Sequence, residues 1–208
     1  MKTLAPVLLT ALLTTLPIFA EEKSTPLISG DDLSAWTFTS KDGPEAAEKS
    51  WTLKDGILST TGIPIGVIRT KEEYENYTLT FEWRWLPGSE GGNSGLLLHS
   101  GKPGAGPNPP SIESQLQQNH AGDFYMIPVT VEATGKKDGG RWIRTADPKE
   151  KPLGEWNSMT VVCKADTITV HVNGTLVNEG KNLSATKGAI CFQAEGTPIE
   201  FRNITLKQ

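Results

Sequence analysis

The stretch Phe81–Ser100, FEWRWLPGSEGGNSGLLLHS, decides how the chain folds. Side chains alternate between faces along a β-strand, so Phe81, Trp83 and Trp85 share one face while Glu82 and Arg84 share the other. Three aromatic rings on one face demand a second layer to cover them. The segment Pro87–Gly95 then turns the chain through GGNSG, and Leu96–Ser100 begins a second apolar strand. The polar face of the first strand has two readings. Glu82 and Arg84 either line a ligand cleft or answer Glu200 or Arg202 on another strand as scaffold, since desolvating an ion pair inside a sheet is costly.

The same strand-and-turn grammar extends in both directions. Asp55-Gly56, between SWTLK and ILSTT, and Asn173-Gly174, between DTITVHV and TLVNEG, are dipeptides suited to two-residue hairpin turns. AWTFTS, IGVIRT, EWNSMTVVC, GAICFQA and PIEFRNITLKQ add further strands. The helical pattern before the middle of the chain is limited to a turn over Lys71–Tyr74. Gly101–Pro110 and Ala133–Lys151 read as loops, and loops of that length in a compact domain are usually functional. Together these signals predict an all-β sandwich of two antiparallel sheets.

Composition narrows the class. Residues 1–20 have a basic start at Lys2, a short apolar run and Ala20 before a charged segment, the layout of a cleaved secretory leader, leaving 21–208 as one domain. The expected destination is therefore secreted or periplasmic. The formal net charge of −4 carries no basic stripe, which argues against nucleic acid, and no other segment is apolar enough to span a bilayer. Cys163 and Cys191 lie in separate apolar runs and are either a disulfide or two buried thiols.

Several motifs occur in order: LISGDDLSAW at the start, EWRW at 82–85, GGNSGLLLH at 91–99, IESQL at 112–116, GEWN at 154–157, VNG at 172–174 and FRNI at 201–204. In this order the chain resembles the secreted 3-keto-disaccharide hydrolase family over nearly all of its mature length. The resemblance implies a jelly-roll sandwich of the concanavalin-like lectin/glucanase type, with the ligand on a concave face. It also implies lyase and hydratase chemistry, with net hydrolysis, on glycosides carrying a ketone at C3. A C3 ketone acidifies the C2 proton, so the reaction needs a base, a stabiliser for the developing enolate and an acid for the leaving C1 oxygen.

Glu113 is the expected base. In SIESQLQQ it alternates with Gln115 and Gln117 against Ile112, Ser114 and Leu116, so the polar set occupies one face. By itself such a face is most often solvated; the resemblance assigns it to the cleft. Arg84 is the candidate cation, with Glu82 beside it as orienter or second acid. Asn93 and Ser94 lie in the glycine-rich turn, and His99 follows on the same face if the strand is regular, where an imidazole suits proton transfer. Asp123, in NHAGDFY, is either a second carboxylate in the cleft or a turn cap. Trp142, in a polar loop, is the better candidate for stacking on a sugar, while Trp83 and Trp85 belong to the core. Asn157 and Gln193 are cleft hydrogen-bonders or strand-end caps.

The expected partner is a carbohydrate. No cofactor is expected, although the resemblance leaves a divalent metal open. A conventional glucanase of this fold would carry a Glu-x-Asp-x-x-Glu strand, and IESQLQQ lacks the later carboxylates. A carbohydrate-binding module without turnover is the alternative from another class, because it would use the same polar face.

Overall fold

The computed structural model describes residues 24–104 and 106–208. The secretory leader expected at 1–20 lies outside the described residues. Two antiparallel sheets make up the fold. From edge to edge the nine-stranded sheet runs Glu132–Ala133, Thr175–Lys181, Thr167–Val172, Asn157–Lys164, Tyr77–Trp85, Ile199–Lys207, Ile57–Thr60 and Trp51–Lys54, with Ser24–Pro26 also paired to Ile199–Lys207. The eight-stranded sheet runs Lys137–Asp138, Arg141–Trp142, Phe124–Ile127, Ser111–Gln115, Gly95–Ser100, Ala189–Ala194, Gly66–Thr70 and Trp36–Ser40. The expected jelly-roll architecture is the observed one.

Both predicted hairpins form. Asp55 and Gly56 join Trp51–Lys54 to Ile57–Thr60 with φ of 52° and 73°, and Asn173 and Gly174 join their strands with φ of 48° and 80°. Two consecutive positive φ values match the twist of the flanking strands, and Asn, Asp and Gly tolerate them. The helix falls elsewhere than expected: Lys71–Tyr74 is irregular, and Pro44–Lys49 forms one short helix. The segment PEAAEK has Pro in its first turn, Glu45 near the N-terminus and Lys49 near the C-terminus, an arrangement favoured by helix ends and dipole.

Phe81, Trp83 and Trp85 are buried between the sheets with Phe192 and Phe201; the Phe81–Phe192 and Phe192–Phe201 ring centroids lie 5.1 and 4.7 Å apart. The two sheets differ in their outer faces. Strand Tyr77–Trp85 alternates buried and half-buried residues, as does most of Asn157–Lys164, so the nine-stranded sheet turns its outer face to solvent. In Gly95–Ser100, Ser111–Gln115 and Ala189–Ala194 every residue is buried. The outer face of the eight-stranded sheet is therefore a recess, with Val67, Leu97 and Cys191 forming a small apolar cluster separate from the inter-sheet core.

Candidate functional site

Register brings the polar residues of the recess together. Glu113 pairs with Leu97 on one side and Tyr125 on the other, Gln115 pairs with Gly95, and Gln193 pairs with Val67. Paired residues share a face, so Glu113, Gln115 and Gln193 look away from the core while Ile112, Leu96 and Phe192 fill it. Gly95 is the floor beneath them. A Cβ there would run into the Oε1 atoms of both Gln193 and Glu113 and lie 2.8 Å from Glu113 Cδ. The glycine is required by close approach, and the two side chains converge above it.

Glu113 is 5% exposed, and its Oε1 has no hydrogen-bond partner. Burial, assisted by the charge of Glu195, pushes its carboxyl up to about 8. Glu195 follows the end of Ala189–Ala194, half-buried at the rim. Burial raises its carboxyl too, against a hydrogen bond from Asn93 that lowers it. Asn93 is bridged to Glu195 and Gly196, and its Oδ1, like Oε1 of Gln193, is buried without a partner. The charge of Glu195 thus raises the proton affinity of the more deeply buried Glu113, and the two carboxyls ionise in turn rather than together. Such a pair supplies an acid and a base side by side.

Beyond Glu113 the recess becomes cationic. Tyr125 pairs with Arg141, whose Nη1 donates to the Tyr125 hydroxyl at 3.4 Å and whose Nη2 donates to Asp138 at 2.8 Å. Asp123 is fully buried and accepts from the Arg144 backbone at 2.9 Å and from Arg144 Nη1 at 3.2 Å, with Arg141 at 3.8 Å and His120 at 3.6 Å. These groups border a cavity of about 370 Å³. Asp123 thus lines a pocket while tying the loop after Trp142 to the sheet. Gln115 accepts from the backbone of Leu116 at 2.9 Å and Gln117 at 2.8 Å, so its acceptor serves the turn.

The remaining candidates lie elsewhere. Arg84 and Glu82 are on the outer face of the nine-stranded sheet, the opposite side of the sandwich from Glu113. Arg84 donates to Glu200 at 2.7 Å, Arg202 donates to Glu82, and both guanidinium groups stack on Trp156, at 4.5 and 4.1 Å from its ring. The scaffold reading of these charges is the one the geometry supports. His99 departs from the expected face because the strand is not regular: its φ is +50°, and pairing with the neighbouring strand shifts between Ala189 and Cys191. The imidazole turns inward against Tyr77, ring centroids 5.7 Å apart, and burial lowers it to about 4.

Ser94 Oγ donates to the Gln193 carbonyl at 2.9 Å, holding the strand that carries Gln193. Asn157 Oδ1 accepts from Lys151 N and Asn173 Nδ2, both at 2.8 Å, so it pins a loop beside the nine-stranded sheet. Trp142 packs on the core and donates to the Val131 carbonyl at 2.9 Å, with Lys137 over its ring; its alternation with Arg141 directs it away from the recess. Cys163 and Cys191 are free and buried, in separate apolar clusters, and burial pushes both thiols up to about 12. Among the described residues no group of three or more His, Cys, Asp and Glu is arranged to hold a metal ion.

Of the expected set, the recess therefore assembles Glu113, Gln193, Asn93 and Gln115, with Asp123 at its cationic end. Sequence reading missed Glu195, Tyr125 and Arg141. Glu195 stands two residues beyond Gln193, a spacing that signals a shared face, whereas Tyr125 and Arg141 join only through cross-strand register.

Among solved structures, a proposed glycosyl hydrolase from Parabacteroides distasonis is 24% identical with a TM-score of 0.67, the match covering 88% of this chain and 93% of that one. A carbohydrate-binding module from Bacillus subtilis is 12% identical with a TM-score of 0.59, covering 84% and 96%. A Bacillus licheniformis β-glucanase is 10% identical with a TM-score of 0.52, covering 91% and 94%. At these identities the likeness is one of fold. No curated protein matches the chain. The family model for the 3-keto-alpha-glucoside-1,2-lyase-like domain matches residues 23–207, and the chain belongs to that family.

Proposed function

We propose that this protein is an exported enzyme that cleaves glycosides already oxidised to a ketone at C3 of the sugar. The observation that carries the proposal is the buried Glu113 carboxyl above the Gly95 floor, its proton affinity raised by burial and by the charge of Glu195, beside the unpartnered acceptors of Gln193 and Asn93. Glu113, deep in the recess, takes the C2 proton; low hydration and a raised affinity for protons make it a stronger base than a solvated carboxylate. The electron pair left at C2 delocalises into the C3 ketone. Tyr125, whose hydroxyl accepts from Arg141, is placed to donate its own proton toward that oxygen, the part sequence reading gave to Arg84. Glu195, at the rim, protonates the C1 oxygen as the C1–O bond breaks. Water then adds across C1 and C2, its hydroxyl bonding C1 while its other proton passes to Glu195, and the proton held by Glu113 returns to C2, for net hydrolysis with both carboxyls restored.

The test is a substrate panel. The purified protein should release the aglycone from 3-keto-glucosides and leave the parent glucosides intact. Glu113→Gln should lower turnover by roughly 10²- to 10⁴-fold, the usual worth of a general base. Tight binding of both sugar forms with no turnover would establish the second reading, a binding module, which the similarity in fold to a carbohydrate-binding module supports.

A further inference from the structure

The rim of the recess beside Glu195 is apolar. Strand pairing sets Gln193 against Val67 and Ala194 against Gly66, and Glu195, which follows Ala194, leaves the ladder at the end where Ile65 leads into Gly66. The segment Ile63–Pro64–Ile65 is anchored there: Gly196 donates to the Gly62 carbonyl at 2.7 Å, and Thr61 Oγ1 donates to the Ile63 carbonyl at 2.8 Å. Gly62 lies so close to the Thr197 backbone that a Cβ would clash with it. The tip is thus fixed to the segment that carries Glu195. Yet Ile63 is 63% exposed and Ile65 is 37% exposed, two of the four large apolar side chains left exposed among the described residues.

Isolated exposed apolar residues need no explanation, but two flanking a proline at the mouth of a polar recess form a wall suited to an apolar ligand surface. On the other side of Glu113, past Tyr125, stand Arg141, Arg144 and Asp123, which border a charged cavity of their own. We infer that Ile63, Pro64 and Ile65 form the aglycone platform, and that the substrate is a glycoside with an aromatic or otherwise apolar aglycone, its sugar lying toward Glu113. This rests on the reading of the recess as a glycosidase-type site, and it follows from position: the leaving group departs past Glu195, and the exposed apolar side chains on the segment tied to that end are Ile63 and Ile65.

Two measurements test it. Protein carrying ¹³C-methyl isoleucine is titrated with 4-nitrophenyl α-glucoside and, separately, with maltose, neither of which needs to react. The methyl signals of Ile63 and Ile65 should move with the aryl glucoside and stay with maltose. Movement with both, with neither, or with protein concentration alone, which would mark contact between copies of the chain, overturns the inference. The 3-keto forms of the same two glycosides are then assayed with wild type and with the Ile63→Ser, Ile65→Ser double variant. The kcat/KM for the aryl substrate should fall roughly tenfold while that for the disaccharide stays within about twofold, because lost apolar contact of this size discriminates by that order. An equal fall on both substrates, or none, also overturns it. If neither 3-keto substrate turns over, the proposed reaction fails while the methyl titration still decides the platform. If turnover stands and the methyls are silent, only the platform fails.

Discussion

Glu113 is the residue on which most depends, and its environment makes its role measurable. With its carboxyl held at about 8, catalysis by its ionised form makes kcat/KM rise with pH toward a plateau above about pH 8 on substrates whose leaving groups need no protonation, whereas substrates that need Glu195 as acid lose rate once both carboxyls are ionised. Glu195→Gln removes a repelling charge and should move that limb to lower pH. A rate that falls above pH 8 even on substrates whose leaving groups need no protonation, with Glu113→Gln sparing those substrates, would exchange the roles of the two carboxyls. The same burial has a price in stability. Glu113 keeps its proton to about pH 8 in the folded protein but loses it near 4.5 when unfolded, so stability falls from pH 4.5 to 8 by on the order of 5 kcal/mol. His99 works in the other sense. Its imidazole, about 4 folded against 6.5 unfolded, lowers stability as pH falls from 6.5 to 4, by on the order of 3 kcal/mol. Thermal or denaturant unfolding across pH should therefore show a broad maximum between about 4.5 and 6.5, and Glu113→Gln should abolish the alkaline decline.

At the scale of elements, the strands Gly95–Ser100, Ser111–Gln115 and Ala189–Ala194 place the site by register. Gly95→Ala tests that geometry directly. The new methyl meets the ends of Glu113 and Gln193, which can swing aside, so the fold should survive with an unfolding midpoint within a few degrees while kcat/KM falls at least tenfold. The hairpin at Asn173-Gly174 offers the contrast. Asn173 accepts from Ser158 N at 2.9 Å and donates to the Lys149 carbonyl and to Asn157 Oδ1, both at 2.8 Å. Asn173→Ala should cost about 1–3 kcal/mol in unfolding measurements and leave kcat unchanged. These elements were legible in the sequence because alternation and turn residues are local properties. His99 was not, since the bulge that turns it inward is imposed by pairing with the Ala189–Ala194 strand.

For the whole molecule, the decisive asymmetry is that one sheet has a solvated outer face and the other a recessed one. Arg84 and Glu82 belong to the first, where with Glu200, Arg202 and Trp156 they form a stacked ion-pair ladder. Arg84→Ala should therefore leave kcat/KM within about twofold and lower stability by no more than about 1 kcal/mol, the usual range for partly exposed pairs. A loss of turnover without loss of stability would return Arg84 to the catalytic machinery. The aromatic core between the sheets answers to the other face of the same strand, where Trp83→Ala should cost about 3–5 kcal/mol.

The sequence by itself determined the two-sheet sandwich, both two-residue hairpins, the burial of Phe81, Trp83 and Trp85, and the common face of Glu113 and Gln115, because periodicity and turn chemistry act over a few residues. Only the tertiary structure decided which polar face is the recess. A strand's alternation separates two faces without saying which is covered, and FEWRW and SIESQ present equally polar outer faces. The recess exists because Ser111–Gln115 lies in the middle of a sheet whose outer face is enclosed, while Phe81–Trp85 turns Glu82 and Arg84 toward solvent. The same enclosure brought in Glu195, Tyr125 and Arg141 from segments distant in the chain and sent His99 into the core.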